Sequence, residues 1–246
     1  MTQQKRRRFT LQETYEGTNY SELIPMPDPD LNPERLKLCK DLFRELIEPG
    51  CGALIPDSRL TLQKWCFLEY LVKHEQILLH GSTSHDIEVF EPRAAIDNLV
   101  GGERALVYAA SSGILASFFA IHDRAKLEKL GLAPGMNVCY FNYEEQGAAK
   151  EGFHFAIDYR ALRHFHWSTG MVYILPRGPF RADFQQTQWF SEVPVRPLAK
   201  ILVHPHDFPI LASIRGTDFG PLVEQFERVG MQGYPWLHDA RIHPRR

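Results

Sequence analysis

Three polar residues stand in or at the end of short apolar runs, and each is of a type that can contact a ligand. His80 closes Ile77-Leu78-Leu79-His80, and Gly81-Ser82 follow it. A short apolar run ending at glycine predicts a buried strand that feeds a tight loop. Lacking a Cβ, Gly81 opens its main-chain N–H and C=O to close approach, a bidentate match for a planar amide, and Ser82 adds a hydroxyl. Tyr108 belongs to a second run, Ala105-Leu106-Val107-Tyr108-Ala109, with Phe118 and Phe119 about three helical turns further along. Aromatic faces from those two elements could clamp a flat ring. Glu192 interrupts Trp189-Phe190-Ser191-Glu192-Val193-Pro194-Val195, which otherwise reads as an apolar strand. A carboxylate on such a strand is costly to bury unless it faces a polar cleft. Singly, the three have plain structural readings: a turn, a core aromatic and a solvent-facing acid. Their order and flanks favour one shared site.

Other constellations fall away. There is no GxGxxG after a strand, no GxxxxGK[ST], no GxSxG and no HExxH. His204-Pro205-His206-Asp207 has metal-compatible spacing, but Pro205 fixes the backbone between the histidines and no further ligand lies nearby in sequence. A surface turn is expected there. His164 and His166 would share a face if they lay on a strand, and a half-buried turn over His164-Phe165-His166-Trp167 is the favoured reading.

The elements that must position these residues are visible in outline. Pro25, Pro27 and Pro29 give residues 1 to 32 an irregular, extended character. Asn32-Pro33 reads as a helix cap with proline in the first turn, and apolar residues from Leu36 to Ile47 recur at helical spacing until Pro49-Gly50. A second helix is expected from Thr61 to about His74. Ser111-Ser112-Gly113 signals a third, continued by Ile114, Leu115, Phe118, Phe119 and Ile121. Strands are expected at 77–80, 105–109, 137–142, 152–157, 170–175, 189–195 and 199–203. Helices first, then mostly strands with one helix inserted, argue for α+β with antiparallel sheets and against a doubly wound βαβ fold.

Composition sets the class. The 246 residues are enough to bury a sizeable core, and 44% hydrophobic with 24% charged residues is ordinary for a globular chain. A formal net charge of -2 supplies no global field toward nucleic acid or membrane, although Lys5-Arg6-Arg7-Arg8 and Arg241, Arg245 and Arg246 make both ends basic. Cys39, Cys51, Cys66 and Cys139 form no CxxC pair, so free thiols in a reducing compartment are expected. Without a signal-like or membrane-length apolar run, the expectation is a soluble, cytoplasmic protein with no membrane partner.

Leu79-His80-Gly81-Ser82, then Val107-Tyr108-Ala109-Ala110-Ser111-Ser112 leading into Ala116-Ser117-Phe118-Phe119, then Ser191-Glu192-Val193, resembles the His-Tyr-Glu signature of ADP-ribosyltransferases. The similarity is to the branch of diphtheria toxin and the poly-ADP-ribose polymerases, and it covers roughly residues 76 to 205. It implies an α+β, ADP-ribosyltransferase-like split antiparallel β-sandwich over residues 76–246, preceded by an N-terminal lead-in and two helices over 1–75. The implied activity is an NAD-dependent glycosyltransferase: NAD is the substrate, no metal is needed, and ADP-ribose passes to an unknown protein or nucleic-acid acceptor, or to water. The implied roles are catalytic for Glu192, His80 and Tyr108, and NAD-binding for His80, Gly81, Ser82, Tyr108, Ser117, Phe118 and Phe119. Gly81 would hold the nicotinamide carboxamide and His80 the adenosine-side ribose. Tyr108 and either Phe119 or Phe118 would stack on the nicotinamide ring, and Glu192 would bond the nicotinamide-ribose 2′-hydroxyl. The sequence departs from the family at two points. Phe190 replaces the acid found two positions before the glutamate in arginine-modifying members, so arginine is a doubtful acceptor. Ala116 takes the ungapped place of a common serine, with Ser117 next. An inactive nucleotide-binding or interaction module is the alternative.

Overall fold

Asn32 and Pro33 begin the first helix through the chemistry their types suggest. In the computed structural model, which describes residues 23–97, 102–132, 136–145, 147–163, 166–182 and 188–217, the Asn32 side chain accepts from the Arg35 N–H at 3.0 Å and caps α1 (Pro33–Leu42). A π-helical turn over Phe43–Ile47 continues α1, and Gly50, at φ +68°, lets the chain leave it. Helix α2 (Lys64–His74) is buried along most of its length, with Phe67, Leu68 and Leu71 fully enclosed. The basic chain ends lie outside the described residues.

Two compact units make up the chain, and the path leaves one and returns to it. The larger unit comprises Pro27–Ala133 and His164–Ser213; the smaller comprises Met1–Met26, Pro134–Arg163 and Ile214–Arg246. Helices α1 and α2 belong to the same unit as His80, while residues 134–163 belong to the other.

The larger unit is built on a sheet of β2 (Ala53–Ile55), β3 (Ile77–Ser82), β4 (Arg93–Asp97), β5 (Gly102–Ala110), β8 (Gly170–Pro176), β9 (Arg181–Ala182), β10 (Gln188–Ser191) and β11 (Ala199–Val203). Its order is β2-β11-β8-β3-β5-β10-β9, with β4 also pairing β5. Every pairing in it is antiparallel except β2 with β11. Leu78, Val107, Ala109, Tyr173, Leu175 and Trp189 form the core on one face. Strand alternation turns Ile77, Leu79, Val172 and Ile174 to the other face, where α2 and α3 (Gly113–Ile121) pack. Helix α4 (Arg124–Lys129) follows α3 directly.

The smaller unit is an antiparallel hairpin of β6 (Met136–Glu145) and β7 (Ala148–Asp158), turned at Gly147 with φ +77°. Short strands β1 (Ile24–Pro25) and β12 (Arg215–Thr217) also pair with β7, and α5 (Tyr159–Arg163) contacts β12. Buried Phe153, Phe155 and Ile157 supply its apolar interior. The architecture is therefore α+β with mostly antiparallel sheets. Among the described residues no helix is long and apolar enough to cross a membrane.

Candidate functional site

Strand β3 is held very differently by its two neighbours. Its ladder with β8 runs from Ile77↔Pro176 to Ser82↔Met171, whereas its ladder with β5 consists of Leu79↔Ala110 alone. Past Leu79 the connection to β5 is made by a side chain: His80 Nδ1 lies 2.7 Å from the Tyr108 carbonyl oxygen. A carbonyl can only accept, so Nδ1 carries the proton. The neutral ring therefore keeps Nε2 as a lone-pair acceptor. Burial lowers the His80 pKa from its ordinary value, the bond to the Tyr108 carbonyl opposes this, and the Arg93 charge adds to the lowering. His80 is thus a neutral imidazole with a fixed tautomer, able to accept from a hydroxyl.

The loop after His80 is pinned. Ser82 Oγ accepts from the Ser84 N–H at 3.1 Å and tightens the turn. Tyr173, the cross-strand partner of His80, donates its hydroxyl to the Ser84 carbonyl at 2.8 Å and accepts from the Ile87 N–H at 3.0 Å. Phe90 closes the loop: its ring lies 4.6 Å from that of His80, and its backbone bonds Val195 in both directions at 2.8 and 3.0 Å. Val195 is three residues beyond Glu192, so the Phe90 bridge ties the histidine's loop to the segment carrying the acid.

Gly81 is a glycine for a reason the sequence did not show. A Cβ there would stand 1.9 Å from the Ala116 carbonyl oxygen and 2.7 Å from the Ala120 nitrogen, so α3 lies directly on the strand. Gly170 on β8 has the same relation to Ala120, at 1.8 Å. The helix is also fixed from its start. Glu69 of α2, 1% exposed, accepts from Ser112 Oγ at 2.9 Å, the Gly113 N–H at 2.7 Å and the Ile114 N–H at 3.2 Å. A carboxylate at that end satisfies otherwise orphaned donors and meets the positive end of the helix dipole. Sequence reading missed Glu69 because an acid on an apolar helix stripe reads as a solvated interruption.

No family model, curated protein or solved structure matches this chain.

The structure sorts the expected ligand contacts on α3. Phe118 is 0% exposed, stacks on His122 and meets Trp167 and Phe208 edge-on or tilted, whereas Phe119 is 36% exposed. Of the two, Phe119 has the ring surface a ligand could use, and Phe118 is core. Ser117 is also core: its hydroxyl donates to the Gly113 carbonyl at 2.7 Å, a bond that a ligand would have to displace. Tyr108 is half-buried, and alternation sets its side chain with Phe190, opposite Val107 and Ala109. His80 and Tyr108 therefore meet through a backbone carbonyl, their side chains rising from opposite faces of the sheet.

Glu192 lies past the end of β10, where an acid on a longer strand was expected. Ser191 Oγ donates to the Val193 carbonyl at 2.9 Å and accepts from the Val193 N–H at 3.2 Å, a local turn that ends the strand. The register Phe190↔Tyr108 and Ser191↔Val107 sets the exposed Glu192 next in line beside β5.

The histidine motifs take structural places. His166 is buried, its Nε2 2.8 Å from His122 Nδ1; His164 lies outside the described residues. His204 meets Thr169 Oγ1 at 2.9 Å, while Asp207 accepts from the His204 N–H at 2.8 Å and from Lys64 at 3.0 Å, all around a short 3₁₀ turn. No cluster of three metal-capable side chains occurs among the described residues.

Proposed function

We propose that the larger unit is an ADP-ribosyltransferase-like domain that binds NAD at the His80 turn and cleaves its nicotinamide–ribose bond. The observation that carries this reading is the His80 Nδ1 bond to the Tyr108 carbonyl, which leaves a neutral acceptor nitrogen beside Gly81, where β3 and β5 share one register pair. A ribose hydroxyl donating to Nε2 fits that tautomer. The exposed ring of Phe119 and the half-buried Tyr108 supply aromatic faces for the pyridinium, and the Gly81 main chain supplies amide-pairing groups.

The chemistry asks little of acid–base groups. The bond between the ribose C1′ and the pyridinium nitrogen breaks with its electron pair going to nitrogen, so nicotinamide departs neutral and needs no proton. Positive charge develops on the ribose, and a carboxylate beside the 2′-hydroxyl stabilises it as it appears. Glu192 takes this role. The acceptor oxygen or nitrogen then bonds C1′ and gives up its proton. Phe190, two positions earlier, supplies no second acid to activate an arginine acceptor, which leaves other nucleophiles or water.

The test is incubation with NAD labelled in both halves, following nicotinamide release and label retained on macromolecules. Release is expected to fall about a hundredfold in Glu192→Gln, the typical worth of one preorganised transition-state contact. Equal rates in wild type and variant would remove the catalytic assignment. Label on protein or nucleic acid identifies a transferase; free ADP-ribose alone identifies a glycohydrolase.

A further inference from the structure

Strand β8 carries one polar side chain in its buried stretch. Between Met171 and Leu175 every side chain is apolar except Tyr173, which is 0% exposed. A phenol so enclosed must find partners for its hydroxyl. It finds two, both in the main chain after His80: the hydroxyl donates to the Ser84 carbonyl at 2.8 Å and accepts from the Ile87 N–H at 3.0 Å. A phenylalanine would fill the same core space, so what the hydroxyl adds is its hold on residues 84–87. Tyr173 pairs with His80 on β3 and with Lys200 on β11, which sets all three side chains in a row on one face. Lys200 donates to the His85 carbonyl at 2.8 Å, its Nζ 5.9 Å from the centre of the Tyr173 ring. The loop therefore hangs from the two side chains next to His80.

Phe90 completes the path back to the imidazole. Its ring meets the Tyr173 ring edge-on at 5.1 Å and lies tilted against His80 at 4.6 Å. The Tyr108 carbonyl decides which nitrogen of His80 carries the proton, and the packing of Phe90 on the ring limits where the other nitrogen points. A ligand contact is only as precise as the packing that locks its rotamer. We propose that Tyr173 is the positioning residue of the site: its hydroxyl fixes residues 84–87, and its ring and that loop together seat Phe90 against the imidazole that receives a ribose hydroxyl. This rests on the proposal that the His80 turn receives NAD. It extends that reading to a residue outside the His-Tyr-Glu pattern, acting through Phe90 and without touching the ligand.

Calorimetric titration of ADP-ribose into wild type, Tyr173→Phe, Phe90→Leu, the double variant and Ile174→Val tests this, with thermal melts alongside. Tyr173→Phe keeps the ring and loses both loop bonds, and it is expected to weaken binding about five- to tenfold. Phe90→Leu should weaken binding by a similar factor, and the double variant by little more than either alone, because both act through one ring contact. Ile174→Val, on the opposite face of β8, should lower the melting temperature while binding stays as in wild type. If folded Tyr173→Phe binds as wild type does, if the two single losses multiply in the double variant, or if Ile174→Val loses as much affinity, the positioning role is overturned although the NAD reading stands. If wild type binds no ADP-ribose, the NAD reading falls and the role of Tyr173 with it. If Tyr173→Phe does not fold, hydrogen exchange of the Ile87 amide in wild type decides. ADP-ribose should slow it, since binding favours the pinned loop, and an unchanged rate at saturation would overturn the proposal.

Discussion

His80, half-buried, and the fully enclosed His122–His166 pair occupy the same unit, yet they are held by very different partners. His80 bonds a backbone carbonyl at 2.7 Å, which fixes its tautomer and leaves an acceptor nitrogen. His122 and His166 bond each other at 2.8 Å and are enclosed by Phe118 and Trp167. The contrast teaches that a buried histidine is read by its partner: a carbonyl directs the remaining nitrogen outward in chemical terms, while a second imidazole turns both rings inward.

The largest effect that could break this contrast is on turnover. His80→Ala is expected to slow nicotinamide release about ten- to a hundredfold, from loss of a ligand hydrogen bond, with little change in melting temperature. His166→Ala should do the opposite. Its cavity and the stranded His122 should cost about 2–4 kcal/mol of stability, while release per folded molecule stays as in wild type. Parallel assays and melts decide, and a reversed pattern would exchange the roles assigned to the two histidines.

Backbone geometry offers the next test. Gly81→Ala drives a Cβ to 1.9 Å from the Ala116 oxygen, so α3 must shift, at an expected cost of about 1–3 kcal/mol in urea unfolding. Gly178→Ala meets nothing within 4 Å and should be neutral to about 0.5 kcal/mol. Equal effects would show that α3 does not rest on β3 as closely as described.

A smaller effect concerns pH. Burial first, then His166 and Arg124, push the His122 pKa from 6.5 down to about 3. Between those values the unfolded chain binds the proton that the folded chain refuses. This contribution is therefore fully present above about pH 6.5 and is lost as the pH falls toward 3. Unfolding midpoints measured from pH 7 down to pH 4 should decline, and His122→Gln should flatten the decline. A modest change is also expected for Glu69→Gln, which keeps an acceptor at the start of α3 but loses its charge; about 1 kcal/mol should go, from the helix dipole.

Much of the scaffold was legible from local chemistry. Asn32-Pro33 and Ser112-Gly113 mark helix starts because caps are short-range devices, and the β3, β5, β8 and β11 runs show through their apolar density. The site was legible only in part. The end of β10 at Ser191 depends on a hydroxyl-to-backbone turn inside a run that looked continuous. Strand β4 was missed because Arg93 and Asp97 break its apolar pattern. Gly81 was read as open to a ligand, whereas its hydrogen faces α3, a contact between residues far enough apart in sequence to leave no periodic trace. The division into units was hidden too, since residues 134–163 leave one unit and the chain returns afterwards.

The central claim is that the His80 turn meets a nucleotide, and imidazole nitrogen spectra test it most directly. Long-range ¹H–¹⁵N spectra, with His80→Gln assigning the resonance, should show His80 protonated on Nδ1 at neutral pH. Its Nε2 signal should move when ADP-ribose is added, while the His122 and His166 signals stay in place. A His80 ring protonated on Nε2, or an Nε2 signal unmoved at saturating ADP-ribose, would contradict the account.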